Sequence, residues 1–180
     1  YTYNADGYIW KYLGVDKTTA RAASENDQNY IIYRLADVLL MKAEALIMQG
    51  HNEDAADLID RTRERAGLGE TTLSDDRMVM LETLLVERQK EFFGEGKNWF
   101  DLLRIGLRSE QLNDTQYKTL FVEQALKAVG ASRQSLGRAT LANSGSWYLP
   151  YSEDELSKNP LLEPVSYTNL RAHETELHLV

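Results

Sequence analysis

The stretch Leu84–Gly106, "LLVERQKEFFGEGKNWFDLLRIG", decides how this chain is read. It holds Glu87, Glu91, Glu95 and Asp101, interleaved with Arg88, Lys90, Lys97 and Arg104. One possibility is a catalytic pair of carboxyl groups. A retaining glycosidase needs two of them about 5 Å apart, one kept protonated. Glu87 and Glu91 stand at i and i+4, side by side on a helix. However, Arg88, Lys90 and Lys97 favour the ionised form of any carboxyl near them, so a general acid is not expected. A metal site at Glu91 and Glu95 is not expected either, because His51, His173 and His178 are remote in sequence.

The other possibility is a structural corner. Arg88 falls on the apolar stripe Met78, Leu81, Leu84, Leu85 and Phe92 of a helix expected over 74–94. A buried guanidinium needs anionic partners. Glu91 lies three residues on, and Asp101 returns on the next helix. Arg88, Glu91 and Asp101 are therefore the expected ion-pair corner, with an Arg fork locking its geometry. Gly94 and Gly96 turn the chain, and Trp99 and Phe100 are expected to fill the space between the helices. Asn98 with Asp101 reads as a capping-box-like start to a short helix, "WFDLLRI", stopped by Gly106.

Working outward, "YIIYRLADVLLMKAEALIMQG" (30–50) places Ile32, Leu35, Ala36, Leu39, Ala43, Leu46 and Ile47 on one helical face. Gly50 stops that helix. A second helix follows in "NEDAADLIDRTRERAG", with Asn52 as N-cap and Ala55, Leu58, Ile59 and Thr62 turned to the first. Small residues at Ala43, Gly50 and Ala55 allow a close hairpin of tetratricopeptide type. Ser74 is the expected N-cap of the helix over 74–94. Farther on, "TQYKTLFVEQALKAVG" reads as a helix and "ASRQSLGRATLANSGS" as a loop. "WYLPYSEDELSKNP" reads as an extended piece, Pro150, and a short helix capped by Ser152 and Glu155. In residues 1–29, Tyr8, Trp10 and Tyr12 alternate as in a short extended segment; the rest reads as loop.

The 180 residues suit one ordinary domain or part of a larger one. A net charge of −8 without a basic run gives no electrostatic footprint for nucleic acid. The absence of cysteine rules out thiolate metal sites and a cysteine nucleophile within these residues. No apolar run approaches the roughly 20 residues of a membrane-spanning helix. The start at Tyr1 without a signal peptide suggests an excised piece or mature fragment.

Four stretches in order, "YIIYRLADVLLMKAEAL", "AADLIDRTRERAGL", "LLVERQKEFFGEGKNWFDLLRIG" and "YLPYSEDELSKNPLLE", resemble the C-terminal portion of SusD/RagB-type proteins over about residues 8–164. That resemblance implies an all-α fold of tetratricopeptide-like hairpins with long loops. It implies a surface-exposed lipoprotein of the Gram-negative outer membrane, anchored by an N-terminal lipid that lies outside this chain. It also implies oligosaccharide or polysaccharide ligands, hand-over to a TonB-dependent (SusC-like) transporter, no cofactor and no catalysis. No sugar-contacting residue carries over by motif. Tyr8, Trp10 and Tyr12 are the candidate glycan-stacking residues. Trp99, Trp147 and Tyr148 could also stack, although such aromatics more often belong to a core. Residues 165–180, "VSYTNLRAHETELHLV", depart from the family's usual ending and resemble translated adaptor sequence, so the expected division is 1–164 and a non-native tail. The competing functions are a tetratricopeptide-type protein-interaction scaffold, which calls for further repeats of about 34 residues that the sequence lacks, and the paired-Glu hydrolase.

Overall fold

The computed structural model describes residues 30–127, 129–148 and 153–159. Tyr8, Trp10, Tyr12, Pro150, Ser152 and the tail from 165 lie outside them. The described residues form α1 (Leu35–Gln49), α2 (Asn52–Arg65), α3 (Arg77–Glu91), α4 (Asn98–Leu112), α5 (Thr115–Leu126), α6 (Ala131–Leu141), a 3-10 turn (Ser144–Trp147) and α7 (Glu153–Lys158), with no strand among them. The described residues form the all-α fold that the resemblance implies. Two compact units divide inside α4, the first running through Leu102 and the second from Leu103.

In the first unit, α1 and α2 pack as a hairpin and α3 packs on both. Gly50 sits at φ 83°, and the Gly50 and His51 amides donate to Ile47 and Leu46. Gly67 repeats the device at φ 73°, with its own and the Leu68 amide donating to Glu64 and Arg63. This paired arrangement satisfies carbonyls that a helix end leaves without partners. Leu40, Ala43, Ile47, Ala55, Ile59, Met80, Leu81, Leu84 and Leu85 form the core. Each of the larger aliphatic residues contributes about 1.5–3 kcal/mol by leaving water.

Several expectations need correcting. Residues 30–34 precede α1, and Arg34 is extended at φ −146°. Ile32 and Leu35 are therefore exposed, and the buried stripe is Asp37, Leu40, Ala43, Glu44 and Ile47. His51, not Asn52, occupies the cap position of α2; the Asn52 amide nitrogen donates to the Ser74 carbonyl at 2.8 Å, tying the hairpin to the entry of α3. Asp76, not Ser74, caps α3, accepting from the Met78 and Val79 amides. Trp99 and Phe100 do not fill the interhelical space. The inward phase of α4 is set by Asp101, Leu102 and Ile105, which leaves Phe100 67% exposed and Trp99 half-exposed.

In the second unit, Gly106 does not stop α4. The helix continues to Leu112, and Gly106 lies where an added Cβ would come within 3.0 Å of the Phe121 ring and 3.1 Å of Trp147. Glycine serves close approach here, not termination. Phe121 and Trp147 meet at 4.5 Å between centroids, and the Trp147 indole donates to the Leu141 carbonyl at 2.9 Å. Trp147 is thus a core residue, while Tyr148 is partly exposed. The stretch expected as a loop forms α6, which buries no residue fully. Asp114 caps α5 by accepting from the Gln116 amide.

Candidate functional site

The carboxylates of the α3–α4 corner are distributed among cations from three directions. Arg88 and Glu91 belong to α3, and Asp101 follows the turn at the start of α4. Arg88 is 3% exposed; its Nε donates to Asp101 at 2.8 Å and its Nη2 to Asp37 of α1 at 2.8 Å. Glu91 does not pair with Arg88. Its oxygens go to Arg34, just before α1, and to Arg65 at the end of α2, the latter at 2.6 Å. The reason is direction: Glu91 ends α3 on the side facing residues 34 and 65, whereas Arg88 points toward α1 and α4.

Arg34 and Asp37, which the sequence reading did not single out, join Glu95 and Lys97 in the cluster. Arg34 also donates to Glu95 through Nη2 at 3.0 Å and to the Glu91 carbonyl at 2.7 Å. Lys97 donates to Asp37 and to the Ile32 carbonyl, the latter at 2.6 Å. The Arg34 and Arg88 guanidinium groups lie 4.7 and 4.8 Å from the centroid of the Phe92 ring, so the aromatic ring at the end of α3 supports both cations. Among the described residues, four cations (Arg34, Arg65, Arg88, Lys97) thus meet four carboxylates (Asp37, Glu91, Glu95, Asp101). A sequence signal did exist for Asp37: it falls in the buried stripe of α1, where an unpaired carboxylate is not tolerated.

Burial alone pushes the Asp37 carboxyl upward. Hydrogen bonds from Lys97 and Arg88, with their charges, outweigh it and hold the group below its ordinary value. Burial likewise works against the Arg34 charge, and the bonds to Glu95 and Glu91 reverse the effect.

This arrangement is suited to holding helices together. Glu87 accepts from Arg63 of α2 at 3.0 Å, and Lys90 lies 3.8 Å from it. Glu87, Glu91 and Glu95 are all buried and held by cations, an arrangement that favours ionised carboxylates over the protonated acid a glycosidase needs. Among the described residues no group of three His, Asp or Glu is placed to hold a metal. An open depression beside the corner is lined by Phe93, Lys97, Asn98 and Trp99, among others. The proposed stacking residues Tyr8, Trp10 and Tyr12 cannot be placed relative to it, because they lie outside the described residues.

The chain matches the model of the SusD family over residues 2–167. A SusD-like protein of Formosa agariphila is 37% identical over 89 residues, covering 45% of this chain and 18% of that protein. A SusD-like protein of Bacteroides ovatus is 28% identical over 170 residues, covering 78% of this chain and 30% of its own length. The crystal structure of a SusD superfamily protein from Bacteroides fragilis superposes with a TM-score of 0.52 at 27% identity, over 75% of this chain and 27% of that one. The chain therefore spans less than a third of the length of these relatives. A family match running almost from end to end, on a helical fold shared with a solved superfamily member, means that the chain belongs to the SusD family.

Proposed function

We propose that this chain is part of a cell-surface glycan-binding protein of the outer membrane, which captures oligosaccharides and passes them to a TonB-dependent, SusC-like transporter. The observation that carries this reading is the family match across residues 2–167. The ion-paired state of Glu87, Glu91 and Glu95 supports binding without hydrolysis. Among the described residues no helix is long and apolar enough to cross a membrane; in this proposal a lipid at the N-terminus of the whole protein supplies attachment. Tyr8, Trp10 and Tyr12 are the proposed sugar-stacking residues. Because a partial surface loses preorganisation as well as contacts, the 180 residues alone should bind glycan weakly.

The test uses the product of the whole gene. Calorimetric titration with a panel of oligosaccharides should show saturable binding that Trp10→Ala weakens. Affinity purification from the outer membrane should bring down a TonB-dependent transporter. Absence of both glycan binding and transporter recovery would overturn the proposal. Binding that survives Trp10→Ala unchanged would remove only the stacking assignment.

A further inference from the structure

The turn between α3 and α4 carries a concavity that the ion pairs do not fill. A depression of about 530 Å³ opens there, within the ~300–1,000 Å³ of small-ligand sites. Phe93 and Trp99 line it, 67% and 39% exposed. Gln89 and Asn98 add side-chain amides, which both donate and accept hydrogen bonds. Arg88 lines it as well. That side chain is 3% exposed, and its Nη1 is buried without a hydrogen-bond partner among the described residues. Native proteins rarely leave such a donor unmet.

We propose that this depression is a second glycan contact, which seats an uncharged sugar residue with its C–H face on Phe93 and Trp99 and its hydroxyl groups on the Gln89 and Asn98 amides. The inference rests on the glycan-binding reading and adds a site separate in sequence from Tyr8, Trp10 and Tyr12. Three observations select this ligand. The lining cations, Arg88 and Lys97, are already paired with Asp37 and Asp101, which favours an uncharged molecule over an anion. Amides beside the aromatic rings give partners to hydroxyl groups that leave water, as a bare apolar surface cannot. A hydroxyl, or a water held by it, also supplies the acceptor that Arg88 Nη1 lacks. Exposed apolar side chains elsewhere, such as Val79, Leu112 and Leu136, are aliphatic. Phe100 is as exposed as Phe93 but does not line the depression.

The experiment is photolabelling of the whole gene product. The probes are diazirine-bearing malto-, cello-, manno- and xylo-oligosaccharides, with oligogalacturonides as the charged series, and labelled peptides are mapped by mass spectrometry. A neutral probe should label the segment 88–99 and be displaced by its unmodified parent. The half-saturating concentration for that segment should rise about tenfold in Phe93→Ala, as for loss of an aromatic anchor, and stay unchanged in Phe100→Ala. Phe93 is well exposed, so its truncation leaves the fold intact; Trp99→Ala, checked by circular dichroism, is the second variant. Labelling confined to other parts of the protein overturns this inference and leaves the glycan-binding reading standing. No labelling anywhere, with no heat of binding for any probe, overturns both. Labelling of 88–99 by the charged series alone, or labelling that Phe93→Ala and Trp99→Ala leave unchanged, overturns the site as drawn. An unlabelled segment, with transporter recovery lost in Phe93→Ala, overturns it in favour of a protein contact.

Discussion

Replacing Asp37 with Asn removes one negative charge between two cations while keeping the shape of the side chain. Asp37 and Arg88 are each 3% exposed, and Lys97 is 14% exposed. Breaking a buried ion pair by neutralising one partner costs about 3–5 kcal/mol, because the other charge is left without compensation. Lys97 keeps its bond to the Ile32 carbonyl and some access to water. Arg88 keeps Asp101 but cannot be rehydrated. The expected loss is therefore at the lower end, about 3 kcal/mol. With a urea slope of about 1.5 kcal/mol/M, the unfolding midpoint should fall by about 2 M. Asp57→Asn, on the exposed face of α2, should stay within about 0.5 kcal/mol of the natural protein. The pH dependence follows in sign. The folded Asp37 carboxyl titrates below its ordinary 3.8. Its contribution is thus fully present above that value and is lost as pH falls through the lower folded one. The difference between the natural protein and Asp37→Asn should be constant from pH 7 to 5 and shrink below about 3.8. The assay is urea unfolding followed by circular dichroism at each pH. A midpoint shift no larger than that of Asp57→Asn at neutral pH would refute the reasoning.

Other outcomes follow from the same geometry. Asp101→Asn should cost a similar amount, and the Asp37→Asn, Asp101→Asn double variant should depart from additivity, since both acids hold Arg88; a double-mutant cycle in urea measures this. Gly106→Ala gains helix propensity of about 1 kcal/mol but forces a methyl against the buried Phe121 and Trp147 rings. Overpacking costs about 1–3 kcal/mol, so net destabilisation and an altered near-ultraviolet tryptophan signal are expected. Asp76→Ala should lose about 1 kcal/mol through the cap of α3, and Ser74→Ala distinctly less, by the same unfolding assay.

Much of the first unit was legible because its signals are local. Gly50 and Gly67 follow apolar periods directly, and both take the left-handed conformation that ends a helix. Arg88 on an apolar stripe announces a need for acids within the sequence itself. What the sequence hid depends on distant partners. Glycine can end a helix or admit a close neighbour, and at Gly106 only the approach of Phe121 and Trp147 distinguishes the two. Residues 131–141 carry no apolar stripe and contain Gly137, yet form α6, with Gly137 lying against the Leu126 side chain. The exposure of Trp99 and Phe100 follows from the phase of α4, which Asp101 and Leu102 set by turning inward. Arg34 and Lys97 flank elements instead of lying within stripes, so no periodicity points to them.

The claim that the corner carboxylates serve the fold, while glycan is held and not cut, is tested most directly by counting reducing ends. Purified product of the whole gene is incubated with each polysaccharide it binds, alongside Glu87→Gln and Glu91→Gln variants checked for folding by circular dichroism. The expected result is no release above the protein-free control for any of the three proteins. Steady release by the natural protein, abolished in a folded Glu87→Gln or Glu91→Gln variant, would contradict it.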